Sequence, residues 1–98
     1  MTDKLLSDES LAHAAECLKT VAHPARLRII ELMLSDRYSV GELAEACDLA
    51  PNVASEHLRL MERCGMLVSE RESRHVYYRV AGPHLGSLIN CIRQHFAC

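Results

Sequence analysis

The chain has 98 residues, of which 49% are hydrophobic and 24% charged, and its formal net charge is −2. A chain of this length is typical of one domain, and it buries only a modest core unless it gains buried surface by dimerising. It lacks both the run of about 18 apolar residues that a membrane span needs and a signal-peptide pattern, so we expect a soluble, cytoplasmic protein without a membrane partner.

The charge is distributed unevenly. Residues 1–50 hold five Lys or Arg against nine Asp or Glu, a net charge of −4, whereas residues 51–98 hold six Arg against four Glu, a net charge of +2. Phosphate contact needs a locally basic surface more than a basic protein. The second half is therefore where we expect a nucleic-acid partner, bound in a salt-sensitive and site-selective way.

Five cysteines occur without any Cys-x-x-Cys pair. An odd count without such spacing argues against a disulfide framework, and a reducing cytosol favours free thiols. Cys47 and Cys64 fall on apolar helix positions and are predicted to be small core residues.

The first elements in chain order are two helices. Residues 1–9 are polar and predicted to be flexible. Apolar residues then recur at helical spacing from Ser10 to Thr20, on an arc that extends to Val21. Pro24 suits the first turn of a second helix. The apolar face predicted for that helix consists of Leu27, Ile30, Met33 and Leu34. A connector, with the alternative of a short strand, follows at residues 36–39.

Residues 40–67 predict two helices joined by a tight bend. Residues 42–47 have the spacing of a short buried helix, and Pro51 breaks the pattern while suiting the start of the next helix. That helix has an apolar face and ends at Gly65. Two helices with a bend of about four residues form a helix-turn-helix, whose second helix, here called the reading helix, enters the major groove of DNA. Its polar face carries Asn52, Ser55, Glu56, Arg59 and Arg63.

A β-hairpin is predicted after the reading helix. Residues 66–68 and 75–80 are rich in β-branched, aromatic and other apolar residues, and the charged residues 69–74 separate them. A hairpin in this position is a wing, whose Arg71 and Arg74 could contact phosphate or the minor groove; the alternative is an ordinary solvated turn. Gly82-Pro83 opens a last helix that reaches Phe96. The fold class is therefore mainly α with a small β-hairpin wing, a winged helix-turn-helix.

The order of these elements resembles the ArsR/SmtB family of bacterial metal- and redox-responsive repressors over residues 10–98, read as one DNA-binding and dimerisation domain. The most specific pieces are Pro24-Ala25-Arg26-Leu27, Ser55-x-His57-Leu58 and His75-Val76-Tyr77-Tyr78. The resemblance implies a homodimer formed through the first and last helices, with double-stranded operator DNA as its partner. Glu56 stands where the family more commonly has histidine, and a carboxylate there could accept a hydrogen bond from a cytosine amino group.

The predicted DNA-binding residues come from this resemblance together with the residue pattern of the reading helix and the wing. For His57 the alternative is a half-buried structural role. The set is Val40, Asn52, Ser55, Glu56, His57, Arg59, Arg63, Arg71 and Arg74.

The resemblance also points to possible inducer sites. Ser39 or Gly41 stands where one subfamily has a metal-binding cysteine, so that site is absent, and Glu31 takes the place of the cysteine typical of persulfide sensors. The other family site lies on the last helix, where the matching positions are Gly82, His84, His95 and Cys98. We therefore predict that His84, His95 and Cys98 are metal ligands shared across the dimer. The inducer would be Zn²⁺ or another thiophilic metal or metalloid, and the sequence indicates no other cofactor.

Helix geometry adds a second sensor. At about 100° per residue, His84, Cys91, His95 and Cys98 share one stripe, but His84 and His95 are about 16 Å apart along one helix. One ion therefore needs a second chain, and an antiparallel pairing would place Cys91 near the partner's Cys91. A Cys91–Cys91 or Cys17–Cys91 disulfide is the redox alternative. The simpler reading of these side chains is interface packing.

Two other classes of function are compatible with a chain of this size. A winged-helix module that binds a protein partner, without inducer sensing, would use the acidic first half of the chain. An enzyme would need a nucleophile and base in a pocket, and the sequence has no G-x-S-x-G, H-E-x-x-H or P-loop pattern. We therefore predict a non-enzymatic repressor.

Overall fold

The computed structural model describes residues 4–97. Within these residues it contains five helices and one antiparallel hairpin, the winged helix-turn-helix that the sequence predicts. In chain order they are α1 (Asp8–Val21), α2 (Pro24–Ser35), α3 (Val40–Ala46), α4 (Pro51–Arg63), β1 (Leu67–Glu72), β2 (His75–Val80) and α5 (His84–Phe96). None of the described helices combines the length and the apolar character that crossing a bilayer requires.

The core lies where α2, α3, α4 and α5 meet. Its fully buried side chains include Ile29 and Ile30 of α2, Leu43 of α3, and Leu58 and Met61 of α4. The apolar face of α2 differs from the prediction, because Ile29 is buried while Leu34 is 41% exposed. On α4, Val53 is 39% exposed although its spacing placed it on the apolar face.

The reading helix, α4, owes its orientation to one buried stripe. Ala54, His57, Leu58 and Met61 are its buried residues, at steps of three, one and three along the chain. Residues so spaced lie on one side of a helix. The opposite side of α4 is therefore left in solvent, at the surface of the molecule.

Helix ends follow from local hydrogen bonds. α1 begins at Asp8, two residues earlier than predicted, because the Ser7 side chain accepts a hydrogen bond from the Ser10 amide at 3.0 Å. Ser39 and Glu42 form a reciprocal capping box at the start of α3. Gly65, with φ +81°, follows α4 as predicted, in a conformation that costs glycine little.

The wing is longer than the sequence suggested. β1 pairs with β2 from Leu67 opposite Val80 to Glu72 opposite His75, so the loop is only Ser73-Arg74. The predicted six-residue charged tip is therefore wrong. Residues 69–72 of β1 are exposed to solvent, and charged residues are tolerated there because strand preference depends strongly on context. Ser39, in the predicted connector, makes a single bridge to Tyr77.

α1 and α5 leave apolar side chains uncovered. α1 buries Val21, but Leu11 and Leu18 are 51% and 55% exposed. α5 buries Leu85 and Ile89 in the core, whereas Phe96 near its end is 76% exposed.

Candidate nucleic-acid interface

A concave surface lies between the start of α3, the reading helix and the wing. We call it the reading groove; its volume is about 340 Å³. Val40, Ser55, Arg59 and Arg74, all predicted DNA contacts, lie along it although they come from three separate elements. The full lining is Ser39, Val40, Gly41, Ser55, Arg59, Arg74, His75, Val76 and Tyr78.

The exposed side of the reading helix continues this surface. Asn52, Glu56, Arg59 and Arg63 are exposed and Ser55 is half-buried. Arg59 and Glu56 form an ion pair, with the guanidinium nitrogen 3.3 Å from the carboxylate oxygen and both side chains largely in solvent. An exposed pair of this kind contributes little to stability. Arg59 is therefore free to exchange Glu56 for a phosphate, and Glu56 is not an isolated negative charge.

The wing carries arginines of two kinds. Arg71 and Arg74 are exposed and, within residues 4–97, form no ion pair. Arg79, on β2, lies 3.9 Å from Glu70. Arg37, outside the wing, is 3.1 Å from Glu72 and stacks over the Tyr77 ring at 3.8 Å. The wing arginines without an ion-pair partner among residues 4–97 therefore lie toward its tip, where they could contact a phosphate backbone.

Two contacts that sequence reasoning missed hold the wing in place. The Ser69 hydroxyl donates a hydrogen bond to the Glu62 carboxylate at 2.8 Å, which joins β1 to the end of the reading helix. Arg37 contacts both strands, through Glu72 on β1 and Tyr77 on β2. These partners are 7 and 35 residues apart in the chain, respectively. No local pattern marks either pair, so only the packed structure shows them.

The structure contradicts the predicted DNA contact of His57. Its side chain is buried, with a relative exposure of 9%, and its Nδ1 accepts a hydrogen bond of 2.9 Å from Arg26 Nε. Arg26 also donates to the Thr20 carbonyl at 2.7 Å, and the His23 ring lies 5.0 Å from that of His57. His57 therefore supports the reading helix from the interior. Its structural alternative is the one that the geometry supports.

The last helix places three sensor candidates in solvent. His84, Cys91 and His95 are all exposed on α5, and His95 Nδ1 lies 3.3 Å from the backbone carbonyl of Cys91. Among the described residues, no group of three or more potential ligands could hold a metal ion. Cys98, the remaining predicted ligand, lies outside the described residues. A metal site that two chains share stays a prediction.

Within the chain, Cys17 lies beside Cys64. Its thiol donates to the carbonyl oxygen of Cys64 at 3.6 Å, while Cys91 is exposed on α5. Cys64 is only half-buried, so its predicted place in the core is wrong, and its thiol donates to Thr20 Oγ1 at 3.4 Å. Cys47 is also half-buried, and it packs against the core.

Comparison with known proteins identifies this architecture. Residues 23–69 match the model of the bacterial regulatory protein, arsR family. The HTH-type transcriptional regulator Rv0081 of Mycobacterium tuberculosis is 36% identical over 81 residues, which cover 82% of this chain and 71% of that protein. The chain belongs to the ArsR family.

Further relatives and solved structures are similar to this chain in sequence and fold. The transcriptional repressor SmtB of M. tuberculosis is 32% identical over 81 residues, covering 83% of this chain and 60% of SmtB. The crystal structure of Rv0081 superposes with a TM-score of 0.81 at 34% identity, over 93% of this chain and 92% of that one. A homodimeric winged helix-turn-helix DNA-binding domain from Mycobacterium bovis gives 0.80 at 25% identity, over 98% and 94%. This ArsR-family chain is thus a transcriptional regulator and not an enzyme.

The Arg26–His57 contact predicts how stability depends on pH. Burial lowers the pKa of His57, and the positive charges of Arg26 and His23 lower it further. In the unfolded chain His57 therefore binds a proton near pH 6.5, whereas in the folded chain it binds one only at lower pH. Neutral His57 therefore contributes fully to the free energy of unfolding above about pH 6.5. This contribution is lost as the pH falls from there toward the lower pKa of His57 in the folded state.

His57→Asn should reduce this loss, because asparagine retains an acceptor close to the Nδ1 position and does not titrate. His57→Ala should cost about 1–3 kcal/mol at neutral pH, since it leaves the Arg26 donor unpaired. Urea unfolding at fixed protein concentration, between about pH 5.5 and 7.5, measures both effects around the histidine pKa. An equal loss of unfolding free energy at acidic pH in wild type and His57→Asn would contradict the attribution of this pH dependence to His57.

Proposed function

We propose that the chain is a homodimeric, cytoplasmic repressor that binds a palindromic operator and leaves it when an inducer acts on histidine and cysteine residues. The reading groove is the observation that carries the proposal, because it unites α3, the exposed side of α4 and the wing on one surface. A DNA duplex needs such a surface, with a helix for the major groove and cations beside it for phosphate.

Within this surface the residues divide by task. Asn52, Ser55 and Glu56 are short or acidic, and they suit hydrogen bonding to base edges in the major groove. Arg71 and Arg74 project from the wing and suit the neighbouring phosphates or the minor groove. Val40, the first residue of α3, lines the same groove, where the family resemblance places it close to base edges.

Dimerisation supplies the second reading helix. Leu11, Leu18 and Phe96 stand exposed on α1 and α5, the helices that would form the interface. Covering a leucine is worth about 1.5–3 kcal/mol, and each such residue occurs twice in a symmetric dimer. The homodimeric state of the M. bovis domain supports this arrangement. Two reading helices about 34 Å apart would then fit successive major grooves.

Inducer sensing rests on the exposed side of α5. His84, His95 and Cys98 offer two imidazoles and one thiolate, a set that suits Zn²⁺ with water as a fourth ligand once two chains meet. A bound ion would act by preferring a dimer in which the two reading helices no longer match the DNA. Coupling of about 1–3 kcal/mol changes DNA affinity 5- to 150-fold. The redox alternative uses Cys91 with the partner's Cys91.

Arg74→Ala should weaken binding to operator and unrelated DNA alike, because a phosphate contact carries no sequence information. Two lost contacts per dimer should reduce the slope of log affinity against log salt by about 2. Arg79→Ala is the matched control, since Arg79 lies on the same hairpin beside Glu70. Asn52→Ala should instead cost about 1–3 kcal/mol for the operator only. Fluorescence anisotropy at several salt concentrations measures all three, and equal slopes for Arg74→Ala and Arg79→Ala would refute the wing's role.

Leu18→Asp should convert the dimer to monomer, since it places a carboxylate in the proposed apolar interface in both chains. Lys19→Asp is the control, because it places a carboxylate at the next position of α1, where Lys19 stands in solvent 3.5 Å from Glu16. Sedimentation velocity reports the oligomeric state and a gel-shift assay the operator affinity. Dissociation by both variants, or by neither, would exclude this interface.

His95→Ala should abolish zinc-dependent release of the operator, while Cys91→Ser should leave it intact. Native mass spectrometry of the dimer should show two zinc ions in wild type and in Cys91→Ser, but not in His95→Ala. Zinc bound equally by all three proteins, or bound without any change in DNA affinity, would reject the α5 metal site and leave the DNA-binding proposal standing.

A further inference from the structure

Cys17 of α1 and Cys64, directly after α4, meet at the contact between these two helices. The Cys17 thiol lies 3.6 Å from the Cys64 carbonyl oxygen, so the two cysteines are neighbours in space. The Cys64 thiol in turn lies 3.4 Å from Thr20 Oγ1 on α1. Both cysteines are half-buried, so a small reagent can reach them.

A histidine completes the cluster. His13 is exposed one helical turn before Cys17, and its Nε2 lies 3.7 Å from the Cys17 sulfur. A thiol needs to lose its proton to become a nucleophile, and an adjacent imidazole is a common acceptor. The cluster thus holds a base, a thiol beside it, and a second thiol on the residue whose backbone carbonyl the first thiol contacts.

We propose that Cys17 and Cys64 form a disulfide within one chain when the protein meets a hydroperoxide, with Cys17 as the attacking thiol and Cys64 as the resolving thiol. This proposal rests on the regulator function above and replaces the predicted pairing of Cys17 with Cys91. The position of His13 beside Cys17 decides the roles, because the thiol of Cys64 is engaged by Thr20 instead.

The chemistry balances without a metal. His13 accepts the proton of Cys17, and the thiolate attacks one oxygen of hydrogen peroxide, which breaks the O–O bond. The leaving hydroxide takes the proton back from His13, so this step yields a sulfenic acid and one water. The Cys64 sulfur then attacks the sulfenic sulfur, and the hydroxyl group leaves as a second water with the proton of Cys64. The two thiols lose two electrons in total, and the peroxide gains them.

The environment makes this a slow response. Partial burial raises the pKa of the Cys17 thiol, and the neighbouring thiol of Cys64 and the carboxylate of Glu16 act in the same direction. The thiolate is therefore scarce at neutral pH, and His13 is the group on α1 that favours its formation. Such a pair reacts with sustained peroxide rather than with traces.

The bond would join two functional parts of the regulator. Its sulfurs are about 2.05 Å apart, closer than two thiols in contact, so α1 must approach the end of α4 when it forms. α1 is the proposed dimer helix and α4 is the reading helix. We expect the bridged protein to bind operator 5- to 150-fold more weakly, the usual range of allosteric coupling.

The test uses the full chain with Cys98→Ser as background, treated with hydrogen peroxide, alkylated and mapped by mass spectrometry of its peptides. We expect one cross-linked product that joins the peptides of Cys17 and Cys64 within a monomer. Cys64→Ser should remove it, and His13→Gln should slow its formation. Cys47→Ser and Cys91→Ser are matched controls that should retain it, since Cys47 is half-buried directly after α3 and Cys91 is exposed on α5.

Two results would overturn the proposal. One is full alkylation of both Cys17 and Cys64 after treatment, and the other is a cross-link through Cys91 as the only product. A bridge that forms without any change in operator affinity would overturn its regulatory role. Since the peptide map needs no DNA, a protein that forms the bridge but binds no operator when reduced would refute the proposed function alone.

Discussion

Burial of one side of α4 is the constraint on which the rest of the structure depends. Leu58 and Met61 are fully buried, and His57 is fixed from below by Arg26, which also holds the end of α1 through Thr20. A helix held on one side can present the other in only one direction. The polar side of α4, including Asn52 and Arg59, therefore faces solvent as a fixed surface rather than a mobile one.

The wing extends this surface because side chains fasten it to the reading helix. Ser69 hydrogen-bonds to Glu62, and Arg37 holds Glu72 and Tyr77 from the other side. An isolated two-stranded hairpin is marginally stable in water, so these contacts matter for its orientation. They leave Arg74 beside the reading groove, within the same surface as Arg59.

Regulation in this ArsR-family protein would pass through the helices that the single chain leaves uncovered. In the proposed dimer, a second copy would cover Leu11 and Leu18 of α1. The same helix contacts the end of α4 through Cys17 and Cys64. A disulfide formed at that contact would then alter both the proposed dimer interface and the reading helix. In the same proposal the exposed histidines of α5 would take part in a separate metal site, so metal and peroxide would not compete for one site.

The sequence by itself determined the elements and their order. The helix-turn-helix, the stop at Gly65 and the hairpin after it follow from spacing and from backbone preferences that act within a few residues. Only the tertiary structure decided which side chains meet across elements. Arg26 finds His57 31 residues away and Cys17 finds Cys64 47 residues away. Such contacts depend on packing angles between elements, and those angles arise from the whole core and leave no periodic trace in the chain.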